Sequence, residues 1–200
     1  MDLWPPMTDR RRPVTRGWVA RQPIEGDLSR ADLLYLYDHC RDRTVVEVGS
    51  GGSTAMLARF VRRLVSFETD TGWFLAVRKR LRERGMTHVE LLKVAAKPDQ
   101  AAPFADVYII DCASADQLRS RWLDWVVRGR LAPTVLLHDS RRESPTNEIG
   151  WLWKWPSTAR LESAHFHEAD SNYIRLQFRG GPVQYVNWQS EPGRQPLRRI

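Results

Sequence analysis

A glycine-rich turn in the first half of the sequence carries the residues best suited to bind a ligand. An apolar, β-branched run at residues 44–48 contains one acidic residue, Glu47, and is followed by Gly-Ser-Gly-Gly at positions 49–52. The run predicts a buried parallel strand, and a helix is predicted over residues 54–63. A strand, a glycine turn and a helix in this order place backbone N–H groups and a helix N-terminus at one point, where ligands of open α/β sheets bind.

The details of this turn argue against two common ligand motifs. A phosphate-binding Walker loop needs a Lys and then a Ser or Thr after its last glycine, whereas Gly52 is followed directly by Ser53 and Thr54. The dinucleotide fingerprint needs a third small residue at the position that Thr54 occupies. A carboxylate inside a buried strand needs a partner, so Glu47 is predicted to face the ligand or a donor near it.

A second group of reactive side chains follows two later apolar runs. Asp111 ends the run at residues 105–111, and His138-Asp139-Ser140 follows the run at residues 134–137. As neighbouring parallel strands, these runs would bring Asp111 and Asp139 side by side at the edge of one cleft. Imidazole titrates near neutral pH, so a member of the His138-Asp139 pair is a candidate general base. The alternatives are that Asp111 is only a helix N-cap and that His138 is a hydrogen-bonded structural imidazole.

Helical patterns separate the predicted strands. Ser29 as N-cap, with Asp32 three positions later, predicts a helix that runs to about Cys40. Asp70 is predicted to cap a helix over residues 71–84, which ends at Gly85. Its apolar residues at helical spacing, predicted to be buried, are Trp73, Phe74, Val77 and Leu81.

The other predicted elements complete an alternating pattern. They are strands at 64–68 and 88–92, a helix over 114–128, a short helix over 148–155 and an antiparallel pair of strands at 160–167 and 172–178. Strands and helices that alternate in this way predict an α/β fold with a parallel sheet and right-handed crossovers.

Two of these stretches carry a family resemblance. The sequence V-V-E-V-G-S-G-G-S at positions 45–53 resembles the first motif of the class I S-adenosylmethionine (SAM)-dependent methyltransferases, a hydrophobic strand that ends in E/D-x-G-x-G. The sequence L-V-S-F-E at positions 64–68 is similar to the family's second motif, whose acidic residue, here Glu68, accepts hydrogen bonds from the ribose hydroxyls. The resemblance implies that Glu47 lies near the methionine end of SAM, directly or through water.

The resemblance covers about residues 31–178 and extends the prediction for fold and site. It implies a single doubly wound, mostly parallel seven-stranded sheet of order 3-2-1-4-5-7-6, finished by an antiparallel C-terminal hairpin. It places Val94 where the family usually contacts adenine. Many members have an acidic residue near this position that holds the adenine amino group; this sequence has none, so backbone contacts are expected to hold the adenine instead. Trp73 is predicted to cover the adenine or to lie in the core. The implied cofactor-binding residues are Glu47, Gly49, Ser50, Gly51, Ser53, Thr54, Glu68, Thr69, Val94 and Asp111.

The catalytic residues predicted for methyl transfer are Asp139, His138 and Asp111. In one hypothesis, the His138-Asp139 pair removes the proton of the acceptor. In the other, which draws on the resemblance to small-molecule and sugar O-methyltransferases, Asp111 and Asp139 bind Mg²⁺, which lowers the pKa of the acceptor hydroxyl. In the catechol type of enzyme the second Asp is followed by Asn, whereas here Ser140 follows. The tryptophans Trp151, Trp153 and Trp155 are interpreted either as core or as a platform for the substrate.

Composition sets the limits of the prediction. The 200 residues, 42% of them hydrophobic, suffice for one domain at residues 28–180, with an N-terminal arm at 1–27 that covers the site or is partly disordered and an extension at 181–200. No apolar run approaches the roughly 20 residues of a membrane span, and no apolar signal segment begins the chain, so a cytoplasmic protein without membrane partners is expected. Cys40 and Cys112 lack metal spacing and are interpreted as ordinary thiols.

Four functions compete at this point. We expect O-methylation of a hydroxyl on a small molecule or sugar. A nucleic-acid methyltransferase fits the net charge of +7, but Asp111 is followed by Cys-Ala-Ser rather than by the N-P-P-Y/F type of motif. A nucleotide-binding Rossmann oxidoreductase fits Glu68 but lacks the third glycine. A non-catalytic module that kept the SAM fold is the fourth alternative.

Overall fold

The computed structural model describes residues 14–24, 28–95, 103–112, 118–138, 161–166 and 168–179. Its strands form one seven-stranded sheet of order β3-β2-β1-β4-β5-β7-β6, as the sequence resemblance implies. The strands are β1 (Thr44–Val48), β2 (Arg63–Glu68), β3 (Glu90–Lys93), β4 (Val107–Ile110), β5 (Thr134–Leu137), β6 (Leu161–Phe166) and β7 (Ile174–Phe178). The helices are α1 (Arg16–Ala20), α2 (Arg30–Cys40), α3 (Gly52–Leu57), α4 (Thr71–Glu83) and α5 (Leu118–Gly129).

The first five strands of the sheet are parallel and the last two are not. β1 pairs with β2 and with β4, β2 with β3, and β4 with β5, all in parallel. β7 lies between β5 and β6 and is antiparallel to both, which confirms the predicted C-terminal hairpin. The carboxyl ends of β1, β2, β4 and β5 therefore lie along one edge of the sheet, which is where the predicted site residues were placed.

Side chains of the central strands alternate between two cores, one on each face of the sheet. Val46 and Val48 of β1 pack in the core that includes Trp122 of α5. Val45 packs in the opposite core, with Leu36 of α2 and residues of α3 and α4. Because successive strand residues point to opposite faces, Glu47 shares the face of Val45 and looks toward α2 and α3.

Local sequence signals fix the ends of two helices as predicted. Ser29 and Asp32 form a reciprocal capping box at the start of α2. The Asp70 side chain accepts a hydrogen bond from the backbone N–H of Trp73 at the start of α4. Gly85 follows that helix with a φ of +64°, a conformation that suits glycine.

Several boundaries differ from the prediction. α3 begins at Gly52 and ends at Leu57, so the predicted helix over residues 54–63 is wrong beyond its first turn. Phe60 instead turns into the core, and its carbonyl accepts from Asp42 N–H, so the chain enters β2 already at Arg63. α1 was not predicted either; Val19 on this helix is fully buried against the α2 side of the sheet, and Tyr37 Oη donates to the Val14 carbonyl.

Other predictions lie outside the described residues. These are the short helix at 148–155, the tryptophans at 151, 153 and 155, and residues 181–200. The division into an arm, a domain and an extension stays a prediction. The two cysteines, Cys40 and Cys112, are buried free thiols, as expected. Within the described segments, no helix combines the length and the apolar character that crossing a bilayer requires.

Candidate functional site

The glycine turn after β1 lies directly against the end of β4. Gly49 has a φ of +94°, and a Cβ built on it would lie 2.3 Å from the carbonyl oxygen of Asp111. Its backbone N–H donates to the Phe67 carbonyl of β2 at 2.8 Å. Only glycine allows this conformation together with so close an approach of two backbones. The turn therefore brings the ends of β1, β2 and β4 together, with Asp111 beside the predicted cofactor motif.

Glu47 is completely buried and is bound by three hydroxyl groups of the protein. Its Oε1 accepts from Ser53 Oγ at 2.5 Å, and its Oε2 accepts from Thr54 Oγ1 at 2.7 Å and from Ser66 Oγ at 2.6 Å. Burial raises the pKa of Glu47 to about 7, against the lowering effect of the three hydroxyls. The carboxyl group thus ties the start of α3 to β1 and β2, while its contact with a ligand stays a prediction.

Glu68 joins the glycine turn to the start of α4. Its Oε2 accepts from the Ser50 backbone N–H at 3.1 Å and from Ser50 Oγ at 2.8 Å. Its Oε1 accepts from the backbone N–H groups of Thr69 and Asp70 at 2.7 and 2.8 Å. The residue is 5% exposed. All four donors are uncharged, so the carboxylate is oriented without an ion pair among the described residues.

The predicted adenine side of the site is held by backbone contacts. The Val94 backbone N–H donates to the Glu68 carbonyl at 2.9 Å, and Val94 is 3% exposed. Lys93 Nζ donates to the Thr69 carbonyl at 2.7 Å, and this contact links the end of β3 to the loop after β2. Glu68, Thr69 and Val94 are therefore neighbours, as the resemblance implies.

Trp73 is not a core residue, which corrects one of the two predictions made for it. Its side chain is 48% exposed, while Val77 and Leu81 form the buried side of α4. The indole Nε1 donates to the Ser50 carbonyl, and this contact explains its position: the first turn of α4 sits beside the glycine turn rather than over the sheet. An exposed aromatic ring thus borders the predicted cofactor site.

Asp111 and His138 meet at the ends of β4 and β5. His138 Nδ1 lies 2.9 Å from Asp111 Oδ1. The His138 side chain is 2% exposed, whereas the Asp111 side chain is 21% exposed, so the carboxylate lies in front and the imidazole behind it. Asp111 and His138 are thus in contact, while the predicted pairing of Asp111 with Asp139 stays a prediction because Asp139 lies outside the described residues.

Arg119 of α5 belongs to this site and was missed in the sequence. Its Nε donates to the Cys112 carbonyl at 2.7 Å and a terminal nitrogen donates to the His138 carbonyl at 2.9 Å. Its other terminal nitrogen lies 3.9 Å from Asp111 Oδ1, and the side chain is 6% exposed. A single buried guanidinium therefore spans the ends of β4 and β5. No local pattern in the sequence indicates this role.

Asp32 of α2 reaches the same cluster from the opposite side. It is fully buried, and its carboxylate accepts from the backbone N–H groups of Ser29 at 2.7 Å and Asn172 at 2.6 Å. Its Oδ2 lies 3.7 Å from His138 Nε2. Burial raises the pKa of Asp32, but the nearby His138 side chain and hydrogen bonds from Asn172 and Ser29 outweigh burial and lower it far below its usual range. The sequence indicated only its role in the helix cap.

The described residues do not fit the predicted divalent metal. Among them, no group of three or more His, Cys, Asp or Glu side chains is arranged to hold an ion. Asp111 faces an imidazole and a guanidinium rather than further oxygen ligands, which are the ligands that Mg²⁺ needs. The other predicted ligand, Asp139, lies outside the described residues. No metal ion is therefore included in the mechanism proposed below.

Comparisons with known proteins place this arrangement in a structural context. No protein-family model matches the chain, and no curated protein matches its sequence. Among solved structures, a putative rRNA methylase from Clostridium thermocellum is similar with a TM-score of 0.56 and 13% identity over 74% of this chain and 93% of the other. The 23S rRNA methyltransferase ErmE is similar with a TM-score of 0.55 and 16% identity over 82% and 73%.

A third similar structure is an O-methyltransferase by name. The O-methyltransferase from Bacillus cereus, in complex with S-adenosylhomocysteine (SAH), matches with a TM-score of 0.54 and 16% identity over 74% of this chain and 78% of the other. At sequence identities this low, the similarity shows a shared fold and nothing more. The chain has the fold of the class I SAM-dependent methyltransferases.

Proposed function

We propose that this protein is a SAM-dependent methyltransferase that binds SAM at the ends of β1 and β2. The observation that carries the proposal is the Gly49–Ser50 turn, which is held on one side by the Glu68 carboxylate and on the other by the Asp111 backbone. A turn with an acidic residue at each flank, one buried and one partly exposed, suits a ligand that is a nucleoside at one end and an amino acid at the other. The fold shared with methyltransferases supports the same interpretation.

Each end of SAM has its candidate contacts. Glu68 would accept from the ribose hydroxyls in place of, or beside, the Ser50 hydroxyl, since both are neutral O–H donors to the same carboxylate. Thr69 and Val94 would border the adenine. Gly49 and Gly51 would let the backbone approach the methionine end, and Glu47 would act by holding Ser53 and Thr54 at the start of α3.

The chemistry divides between cofactor and protein. SAM, when bound, supplies a methyl group that is already activated by its sulfonium. The protein must orient the acceptor and accept its proton, and the groups at the ends of β4 and β5 are suited to this work. Asp139 is the carboxylate that we assign to the acceptor side, whereas Asp111, the exposed member of the Asp111–His138 pair, would lie between the acceptor and the methionine end of SAM. His138 would hold Asp111 in place or serve as the base itself.

We assign a hydroxyl of a small molecule or sugar as the acceptor. The carboxylate and imidazole after β4 and β5 suit removal of a hydroxyl proton. A nucleic-acid acceptor is the second candidate, because two of the similar structures are rRNA methylases by name and the chain carries a net charge of +7. Incubation with labelled SAM and either bulk rRNA or a panel of sugars and phenols would separate the two.

Calorimetric titration with SAH tests the proposal before any acceptor is known. We expect saturable binding of SAH and none of NAD. A thermal shift with NAD but none with SAH would instead support the oxidoreductase alternative. Binding of SAH without methyl transfer to any acceptor would support the alternative of a non-catalytic module with the SAM fold.

A further inference from the structure

A buried row of three side chains runs from α2 to the proposed cofactor site. Asp32 is fully buried, His138 is 2% exposed and Asp111 is 21% exposed, so the row leads from the core to the surface. The imidazole lies between the two carboxylates, with Nδ1 2.9 Å from Asp111 and Nε2 3.7 Å from Asp32. The ring of Tyr173 packs against it with 4.7 Å between centroids. The imidazole thus has an acidic neighbour beside each nitrogen and an aromatic ring beside it.

Asp32 is itself fixed by backbone from two distant segments. Ser29 N–H at the start of α2 and Asn172 N–H just before β7 both donate to its carboxylate. Hydrogen bonds of this kind to an ionised carboxylate are strong and directional. The anion that faces His138 Nε2 therefore has little freedom to move.

Asp111 is the member of the row that a ligand can reach. Among the described residues, the contacts to its carboxylate, from His138 and from Arg119, both use Oδ1. Oδ2 is thus the oxygen that we assign to a ligand. Gly49 lies against the Asp111 backbone, at the part of the turn where the methionine end of SAM is proposed. The amino acid of SAM carries an ammonium group, for which a partly exposed carboxylate is the complementary partner.

We propose that Asp32 is a positioning residue for this contact: it holds the imidazole of His138, which orients the Asp111 carboxylate toward the ammonium group of SAM. The inference rests on the proposed function. It assigns a role in cofactor binding to a residue that lies behind the site and touches no ligand. Helix α2 and the C-terminal hairpin thereby contribute to the cofactor site through one buried carboxylate.

Two probes separate this role from a general structural one. S-adenosylhomocysteine carries the amino acid, whereas 5′-methylthioadenosine keeps the nucleoside and sulfur but lacks it. Calorimetry should show that Asp32→Asn weakens SAH binding about tenfold, within the range of couplings between contacting residues, and leaves methylthioadenosine affinity nearly unchanged. Ser29→Ala is the matched control, because it removes the other half of the capping box without touching His138. It should lower the midpoint of thermal unfolding and leave SAH affinity unchanged.

A double-mutant cycle tests whether the effect passes through Asp111. In the Asp111→Asn background, Asp32→Asn should cause little further loss of SAH affinity. Equal losses in both backgrounds, or equal losses for both probes, would overturn the inference.

Urea unfolding of the wild type, the two single variants Asp32→Asn and Asp111→Asn, and the double variant separates failure of this inference from failure of the proposed function. If the three side chains are linked, the effects of the two substitutions on the unfolding equilibrium constant should depart from a simple product by more than about twofold. If the two effects on the unfolding equilibrium constant simply multiply, Asp32 and Asp111 are not coupled, and the inference is overturned whichever ligand the protein binds. Wild-type protein that binds neither probe would overturn the proposed function, and the assignment of Asp111 to an ammonium with it.

Discussion

The two halves of the candidate site hold their carboxylates by different means. At the ends of β1 and β2, Glu47 and Glu68 are surrounded by uncharged donors, namely hydroxyls and backbone N–H groups. At the ends of β4 and β5, Asp111 faces an imidazole and a guanidinium. Neutral donors orient a carboxylate but leave its charge in place, whereas a guanidinium also offsets that charge. Among the described residues, the first half thus holds its two carboxyl groups without a cation, and the second half fixes Asp111 beside one.

The contact between the two halves gives the largest expected effect. Gly49→Ala would place a Cβ 2.3 Å from the Asp111 carbonyl oxygen, in a residue with a φ of +94°. Backbone must move at both strand ends, so we expect a loss of about 3 kcal/mol or more in the free energy of unfolding, measured in urea.

Gly85→Ala is the matched control for that substitution. Gly85 also has a positive φ, +64°, but nothing lies within 4 Å of the added Cβ. We expect it to cost only the conformational strain, about 1 kcal/mol. Equal losses at Gly49 and Gly85 would show that the β1 turn and the β4 end do not press on one another.

Glu47 should make the first half sensitive to pH. Its pKa in the folded protein, about 7, lies above the ordinary value of 4.5, so the folded state binds more protons between these limits. Stability that is present below pH 4.5 is therefore lost as the pH rises toward 7, by up to about 3 kcal/mol. Glu47→Gln should remove this slope, which urea unfolding at pH 5 to 7.5 would measure.

Two other carboxylates, Glu168 and Asp32, do not blur that test, because their pKa values move in the opposite direction. Hydrogen bonding to Arg175 lowers the pKa of Glu168 to about 2, and the pKa of Asp32 is lowered further still. Their contributions are lost as the pH falls below 4.5, outside the measured window. A slope that is the same in wild type and in Glu47→Gln would mean that Glu47 is ionised throughout.

Arg119 is the corresponding test for the second half. Arg119→Met keeps the apolar stem but removes the donors to the Cys112 and His138 carbonyls, at 2.7 and 2.9 Å. We expect a loss of about 2 kcal/mol in unfolding free energy, because hydrogen bonds from a buried cation are lost. Arg63→Met removes an exposed pair with Glu90 and should cost less than about 1 kcal/mol. A loss at Arg119 no larger than at Arg63 would contradict the role of Arg119 as a buried connection between strands.

The same division explains how much of the molecule the sequence predicts. Glu47 meets Ser53, Thr54 and Ser66 only 6, 7 and 19 positions away, and the motif that contains them is visible as a continuous stretch. The strand order, which the family resemblance implies, is confirmed. Local pattern also predicts the caps at Ser29 and Asp70.

The second half is assembled from segments that are far apart in the chain. Asp32 meets Asn172 across 140 positions, and Asp111 meets His138 across 27. No local pattern marks Arg119 as buried, since an arginine on a helix is ordinarily exposed. The core alternative for Trp73 is wrong because helical spacing predicts one apolar face of α4 but not how far along the helix that face is covered. Such residues become visible only when the fold brings the segments together.

Glu68 gives the smallest effect and the sharpest test of the first half. Glu68→Gln keeps the size of the side chain but replaces a charged acceptor that four neutral donors orient. Hydrogen bonds to a charged acceptor are stronger than those to a neutral one, so we expect the affinity for SAH, measured by calorimetry, to fall about tenfold. Glu90→Gln, a carboxylate on β3 with an exposed partner, is the control and should leave the affinity unchanged. If SAH binds to Glu68→Gln as tightly as to wild type, the ribose lies elsewhere, and the neutral donors around Glu68 serve only to join the glycine turn to α4.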